Sequence, residues 1–190
     1  MIITLSGDPG SGKSTIAQML SERLGWPRHY VGDMRRQRAE ERGMTLAEYN
    51  RLGETDPSTD TEVDNWQKKL AQSRDNLIVE GRTSWYFIPN SFKIYIQVEP
   101  RLGAERIFKQ IKSGRRQKEA RQCDSVEQTL EINRQRVASD KKRYKKYYGI
   151  DAFDLGNFDL VVDSTGQTKE QTFKEIMAAL QPRLGKAGDN

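Results

Sequence analysis

Residues 2–15 commit this chain more firmly than any other stretch. Ile2-Ile3-Thr4-Leu5-Ser6 reads as a short apolar strand and runs directly into Gly7-Asp8-Pro9-Gly10-Ser11-Gly12-Lys13-Ser14-Thr15. Ile16, Met19, Leu20 and Leu24 then recur at helical spacing. A strand, a glycine-rich turn and a helix in that order make a phosphate-binding loop. A polyphosphate must be wrapped by backbone N–H groups, and side chains would block the approach. Lys13 can set an ammonium against β- and γ-phosphates, and Ser14 can offer its hydroxyl to Mg²⁺. The helix that follows aims its positive end at the anion. The loop fixes nucleoside triphosphate binding and says nothing of the acceptor.

The size suits one compact domain. With 190 residues, 35% hydrophobic and 31% charged, the chain can bury a real core but is short for two domains. A mean hydropathy of −0.85 points to long solvated helices. The single cysteine, Cys123, excludes an internal disulfide framework and suits a reducing compartment. No apolar run approaches the roughly 18 residues needed to span a bilayer, so a cytoplasmic protein is expected. The net charge of +5 is unevenly placed: residues 101–148 hold fifteen Lys/Arg against six Asp/Glu. Such a local surplus can grip nucleic acid or close over small anions.

Further along, Gly25 stops the first helix, and a second strand spans about Arg28 to Val31, ending in Gly32-Asp33. Helical segments are expected over Met34–Gly43, from the capping box at Thr45-Leu46-Ala47-Glu48, and over Thr59–Ser73. Asn76–Arg82 reads as a buried strand ending in Glu80-Gly81-Arg82, and Phe92–Val98 as another. A helix from Arg101 gives way to the basic run Ser113–Lys118, expected to be a mobile flap. A long helix over Ser125–Tyr148 stops at Gly149, and the strand Leu160–Asp163 and an amphipathic helix follow. Short apolar strands alternating with helices imply a parallel sheet covered on both faces, with ligands at the strands' carboxyl ends.

Three constellations accompany the loop. Glu80 can hold a water of a magnesium shell while Arg82 reaches a second substrate. Arg35 and Arg36 follow Gly32-Asp33, and being adjacent on a helix only one of them is expected to face a site. Arg136, Asp140 and Arg143 share one face of the long helix, beside a seam of Leu130, Val137, Tyr144 and Tyr148. Phosphoryl transfer between two phosphate-bearing substrates needs cations converging from several elements, and Arg36, Arg82, Arg115, Arg116, Arg136 and Arg143 offer them. A plain ATPase needs no such surplus.

These residues together resemble the cytidylate kinases, above all the short archaeal type, over nearly the whole chain. The likeness is carried by the glycine loop, Gly32-Asp33-Met34-Arg35-Arg36, Glu80-Gly81-Arg82, and the run from Lys142-Arg143-Tyr144 through Tyr148-Gly149-Ile150-Asp151. The resemblance implies that Arg36 and Arg82 hold the acceptor phosphate, and that Arg136 and Asp140, accompanied by Arg143, contact the cytidine nucleotide, with Asp33 beside them. It further implies that Arg115 or Arg116 closes over ATP; the loop and the strand end themselves lead to the expectation that Ser14 binds Mg²⁺ with Glu80 or Asp8 nearby. Two departures stand out: Lys13 replaces a usual archaeal threonine, and Val137 stands where bacterial members carry an aspartate.

The expected fold is therefore α/β, a three-layer α/β/α P-loop domain of the nucleoside monophosphate kinase type with a five-stranded parallel sheet. Its core would be residues 1–32, 76–111 and 123–184, with an acceptor-binding helical insertion at 33–75, a lid at 112–122 and a frayed tail at 185–190. The expected reaction is ATP plus CMP or dCMP giving ADP plus CDP or dCDP, catalysed by a cytoplasmic monomer with neither nucleic acid nor membrane as a partner. Two alternatives remain: a kinase for another small acceptor, and an ATP-dependent nucleic-acid-binding protein using the strip Lys141–Tyr148.

Overall fold

A computed structural model describes residues 1–72, 76–114, 116 and 123–184. In chain order the elements are β1 (Ile2–Gly7), α1 (Lys13–Leu24), β2 (Arg28–Tyr30), α2 (Val31–Glu41), α3 (Leu46–Leu52), α4 (Ser58–Leu70) and β3 (Leu77–Glu80). They continue with α5 (Ser84–Phe87), β4 (Phe92–Gln97), α6 (Pro100–Lys112), α7 (Val126–Tyr148), a 3-10 turn (Leu155–Asn157), β5 (Leu160–Asp163) and α8 (Lys169–Leu184).

The five strands form one sheet in the order β2-β3-β1-β4-β5, and every neighbouring pair is parallel. Strand alternation sends Ile3 and Leu5 of β1 to one face, where they meet Ile16, Ala17 and Leu20 of α1 and Ile176 and Leu180 of α8. Leu77 and Val79 of β3 face the other side and meet Val31 of α2 and Val63 of α4. This is the expected three-layer arrangement. β1 is central, with β3 on one flank and β4 on the other, so the strand order reverses where β1 releases the phosphate loop. A crevice opens there in open α/β sheets.

Local signals read in the sequence match the elements. Gly25 and Gly149 cap α1 and α7 in the left-handed conformation, at φ 69° and 72°. Thr45 and Glu48 form the reciprocal capping box of α3. One boundary differs: α2 begins at Val31, directly after β2, so Gly32 and Asp33 lie in its first turn rather than ahead of it. Gly32 permits this because Tyr30 folds over it; a Cβ there would sit 2.6 Å from the ring. The helices α2, α3 and α4 occupy the stretch expected to bind the acceptor. Most of the expected lid, including Arg115, and the tail at 185–190 lie outside the described residues. No helix among the described residues is long and apolar enough to cross a membrane.

Candidate active site

The loop between β1 and α1 is braced from three sides. Gly10 adopts φ 80° and approaches Gly103 of α6 so closely that a Cβ would lie 2.1 Å from the Gly103 carbonyl oxygen. Asp8 receives the Tyr95 hydroxyl at 2.6 Å on one carboxylate oxygen and the Val98 amide at 3.1 Å on the other. Its side chain thus ties the loop to the end of β4, and burial together with Asp8 pushes the Tyr95 phenol well above its usual range. Ser164, held by Arg106, donates to the Ser11 carbonyl at 3.1 Å. Gly12 caps α1, leaving the first-turn amides of Lys13, Ser14 and Thr15 without intrahelical partners and ready for an anion.

Of the two carboxylates considered for a metal, the structure brings Glu80 to Ser14. Glu80 is fully buried; its Oε1 accepts from Ser14 Oγ at 2.5 Å and its Oε2 pairs with Arg28 at 2.6 Å. A hydroxyl and a carboxylate beside the phosphate loop are hard oxygen donors of the kind Mg²⁺ takes, so the residues fit that ion. Among the described residues no cluster of three or more His, Cys, Asp or Glu could hold it unaided.

Beyond the loop, cations converge. A cavity of about 90 Å³ is lined by Lys13, Arg36, Arg82, Arg116, Arg136 and Asp140, contributed by the loop helix, α2, the end of β3, α7 and a residue following α6. Burial, and then Arg82, Arg136 and Arg116, push the Lys13 ammonium down to about 8 against the opposing pull of Glu80. Its nitrogen donates to the Asp8 carbonyl at 3.3 Å. Arg116 donates to Gln110 at 2.7 Å, and Arg36 pairs with Asp33 at 2.9 Å while reaching the Tyr30 hydroxyl at 3.2 Å.

Behind this wall lies a buried chain of alternating charge. Arg82 is ion-paired with Asp140, Asp140 with Arg143 at 2.8 Å, Arg143 with Asp60 at 2.9 Å, and Asp60 with Arg35. Arg143 is 0% exposed, so it reaches the cavity only through Asp140. Both members of the adjacent pair on α2 line the cavity, contrary to the expectation that only one would face a site: Arg35 is buried and committed to Asp60 and Asn50, whereas Arg36 sits nearer the surface. On the strip Lys141–Tyr148, Tyr144 is buried and Tyr148 donates to Asp64, while Lys142 and Lys146 reach out to Glu54. The rings and lysines of that strip therefore serve different surroundings.

Arg28, Asn50, Asp60 and Asn133 were not singled out by sequence. Arg28 lies two residues before Tyr30, which pairs in register with Glu80, so only the strand order reveals it. Asp60 and Asp64, four apart on α4, were the signal available for a buried acidic face.

Two larger cavities flank the cation cluster. One of about 750 Å³ lies between α3 and α7, and shares Asn50, Ile107, Asn133 and Arg136 with the smaller one. The other, of about 490 Å³, lies on the outer side of the loop against Thr15, Arg106, Gln167 and Thr172.

This sheet order, phosphate loop and ring of cations define a P-loop kinase. A family profile described as an AAA domain matches residues 3–127. In solved structures the chain is similar to an uncharacterized protein from Eubacterium ventriosum, at a TM-score of 0.67 and 14% identity over 95% of this chain and 98% of that one. It is likewise similar to a shikimate kinase from Bacteroides thetaiotaomicron, at 0.59 and 13% over the same shares. Both likenesses concern the fold. Among curated proteins, a cytidylate kinase of Methanocella arvoryzae is 40% identical over 87% of this chain and 88% of its own. One of Methanopyrus kandleri is 33% identical over 97% and 95%. The chain belongs to the cytidylate kinase family of phosphotransferases.

Proposed function

We propose that the protein transfers the γ-phosphoryl group of ATP to CMP, and to dCMP, giving ADP and CDP or dCDP. The observation that carries this reading is the convergence of Arg36, Arg82, Arg116 and Arg136 on the far side of Lys13. One triphosphate needs the loop and its lysine; a second phosphate, brought within in-line reach, needs cations of its own. The family membership directs the acceptor toward cytidine monophosphate.

In this reading Lys13 and the amides of Gly10 through Thr15 grip the β- and γ-phosphates, and the cavity beside Thr15 and Gln167 takes the donor nucleoside. Arg36 and Arg82 orient the acceptor phosphate, and Arg136 and Asp140 face its nucleoside, with Arg143 holding Asp140. Arg116 lies against the transferring group. Ser14 and Glu80 would hold Mg²⁺, which when bound supplies charge neutralisation on the phosphates. No general base is required, since the attacking phosphate oxygen is already anionic. Rate comes from positioning and from charge neutralised in a closed site.

The test is ADP release measured against a panel of ribo- and deoxyribonucleoside monophosphates together with shikimate and other small hydroxylated acceptors. Stimulation by CMP and dCMP above all others is the expected result. Stimulation only by an alcohol acceptor, or by none, would overturn the reading.

A further inference from the structure

Asn50 of α3 is 5% exposed and lines both the cation-walled cavity and the larger cavity between α3 and α7. Its carboxamide is held in one orientation, because Oδ1 accepts from Arg35 Nε at 3.2 Å and from Arg35 Nη2 at 3.0 Å. Arg35 is itself anchored by its ion pair with Asp60, by a bond to the Thr59 carbonyl at 3.4 Å, and by the Tyr49 ring 5.2 Å from its guanidinium. With the oxygen taken, the NH₂ group is all that this side chain has left to offer the cleft. Among the described residues it donates to nothing.

A second carboxamide comes from α7. Asn133 lines the same two cavities, and its Nδ2 is buried with no hydrogen-bond partner among the described residues. A buried amide donor left unmet costs about 1–3 kcal/mol, so Asn133, lining the same two cavities as the uncommitted NH₂ of Asn50, points to a ligand that completes it.

We propose that Asn50 reads the base of the acceptor nucleotide, donating through Nδ2 to ring nitrogen N3 of cytosine, with Asn133 as the second amide at the constriction. The inference rests on the reading of the acceptor as a nucleoside monophosphate held by Arg36 and Arg82. A phosphate there leaves its nucleoside to pass between Asn50 and Asn133 toward the larger cavity. Cytosine and uracil differ at N3: cytosine presents a lone pair, uracil an N–H. A donor fixed by Arg35 rewards the first and opposes the second, and a site that loses a buried bond discriminates strongly.

Two measurements test it. In Asn50→Asp a carboxylate keeps Arg35 paired and turns an acceptor oxygen to the cleft. The ratio of kcat/KM for CMP over UMP is expected to fall by about tenfold or more, with KM for ATP unmoved. Equal losses on both acceptors would mark a merely structural residue and overturn the proposal. The unaltered protein with 3-deaza-CMP, which lacks the N3 lone pair, removes any dependence on the variant's folding. Turnover should drop by about tenfold against CMP, and turnover equal to that of CMP would overturn the proposal alone. Failure of CMP itself would overturn the proposed function, and this inference with it.

Discussion

Asp140 of α7 is ion-paired through one carboxylate oxygen with Arg82 at the end of β3, and through the other with Arg143 one turn along its own helix. Three buried charges thus lock α7 to the strand end that faces the phosphate loop. Arg143 extends the lock to Asp60 on α4. Asp140→Asn leaves two buried guanidinium groups short of a partner charge, so a loss of about 3 kcal/mol in urea unfolding is expected. Asp151→Asn, which breaks the exposed pair with Lys141, should cost under about 0.5 kcal/mol. Equal effects would mean that the chain of charge does not hold the site together.

Arg82→Ala should lower acceptor-dependent turnover by about 100-fold or more while ATP affinity stays within a few-fold of the unaltered protein. Calorimetric ATP titration beside a coupled assay separates the two. Loss of ATP binding would place Arg82 on the donor side instead.

In the proposed reaction Lys13 grips phosphate only as an ammonium, and burial with the neighbouring arginines brings its pKa down to about 8. Below that pH the group is charged and ready for phosphate; above it the amine is neutral. The logarithm of kcat/KM for ATP should therefore be level at pH 6 to 7 and bend downward as pH rises through about 8, reporting the free enzyme. A profile level to pH 9.5 would contradict this assignment.

Burial raises Asp64 to about 6, with Asp60 adding to the shift and the Tyr148 hydroxyl opposing it. A carboxyl whose folded pKa lies above its unfolded value binds its proton more tightly when folded, so ionisation at neutral pH costs stability. Asp64→Asn should stabilise the protein by about 2 kcal/mol at pH 7.5, a gain that fades toward pH 4. Thermal unfolding at the two pH values checks it, and an equal or reversed difference would contradict it.

Gly103→Ala would improve helix propensity in isolation, yet here the new methyl meets the Pro9 carbonyl oxygen at 2.4 Å. The expected outcome is a raised KM for ATP with unfolding little changed, read by initial rates and urea titration together.

The fold was legible because strand and helix periods, the glycine caps and the Thr45–Glu48 box are local signals, and local signals survive folding. Lys13 and Ser14 were legible from a motif, and Arg36, Arg82, Arg136 and Asp140 from strand-end position, a shared helix face and the family resemblance; the structure brings all six around one cavity. What the sequence concealed depends on neighbours distant along the chain. The partners of Asp8 are Tyr95 and Val98, one of Glu80's two partners is Arg28, and Asn50 is oriented by Arg35. No spacing rule links residues 87 or 90 apart. Arg143 shows the same limit from the other side: its place on the face of Arg136 and Asp140 was readable, but its burial behind Asp140 was not.

The central claim is that the loop and the arginines opposite it form one site for two phosphates. The most direct measurement follows label from [γ-³²P]ATP in the presence of CMP and separates the products. Label recovered as the β-phosphate of CDP, in equal amount to ADP, is the predicted result. Label released as inorganic phosphate, with CMP unchanged, would contradict it.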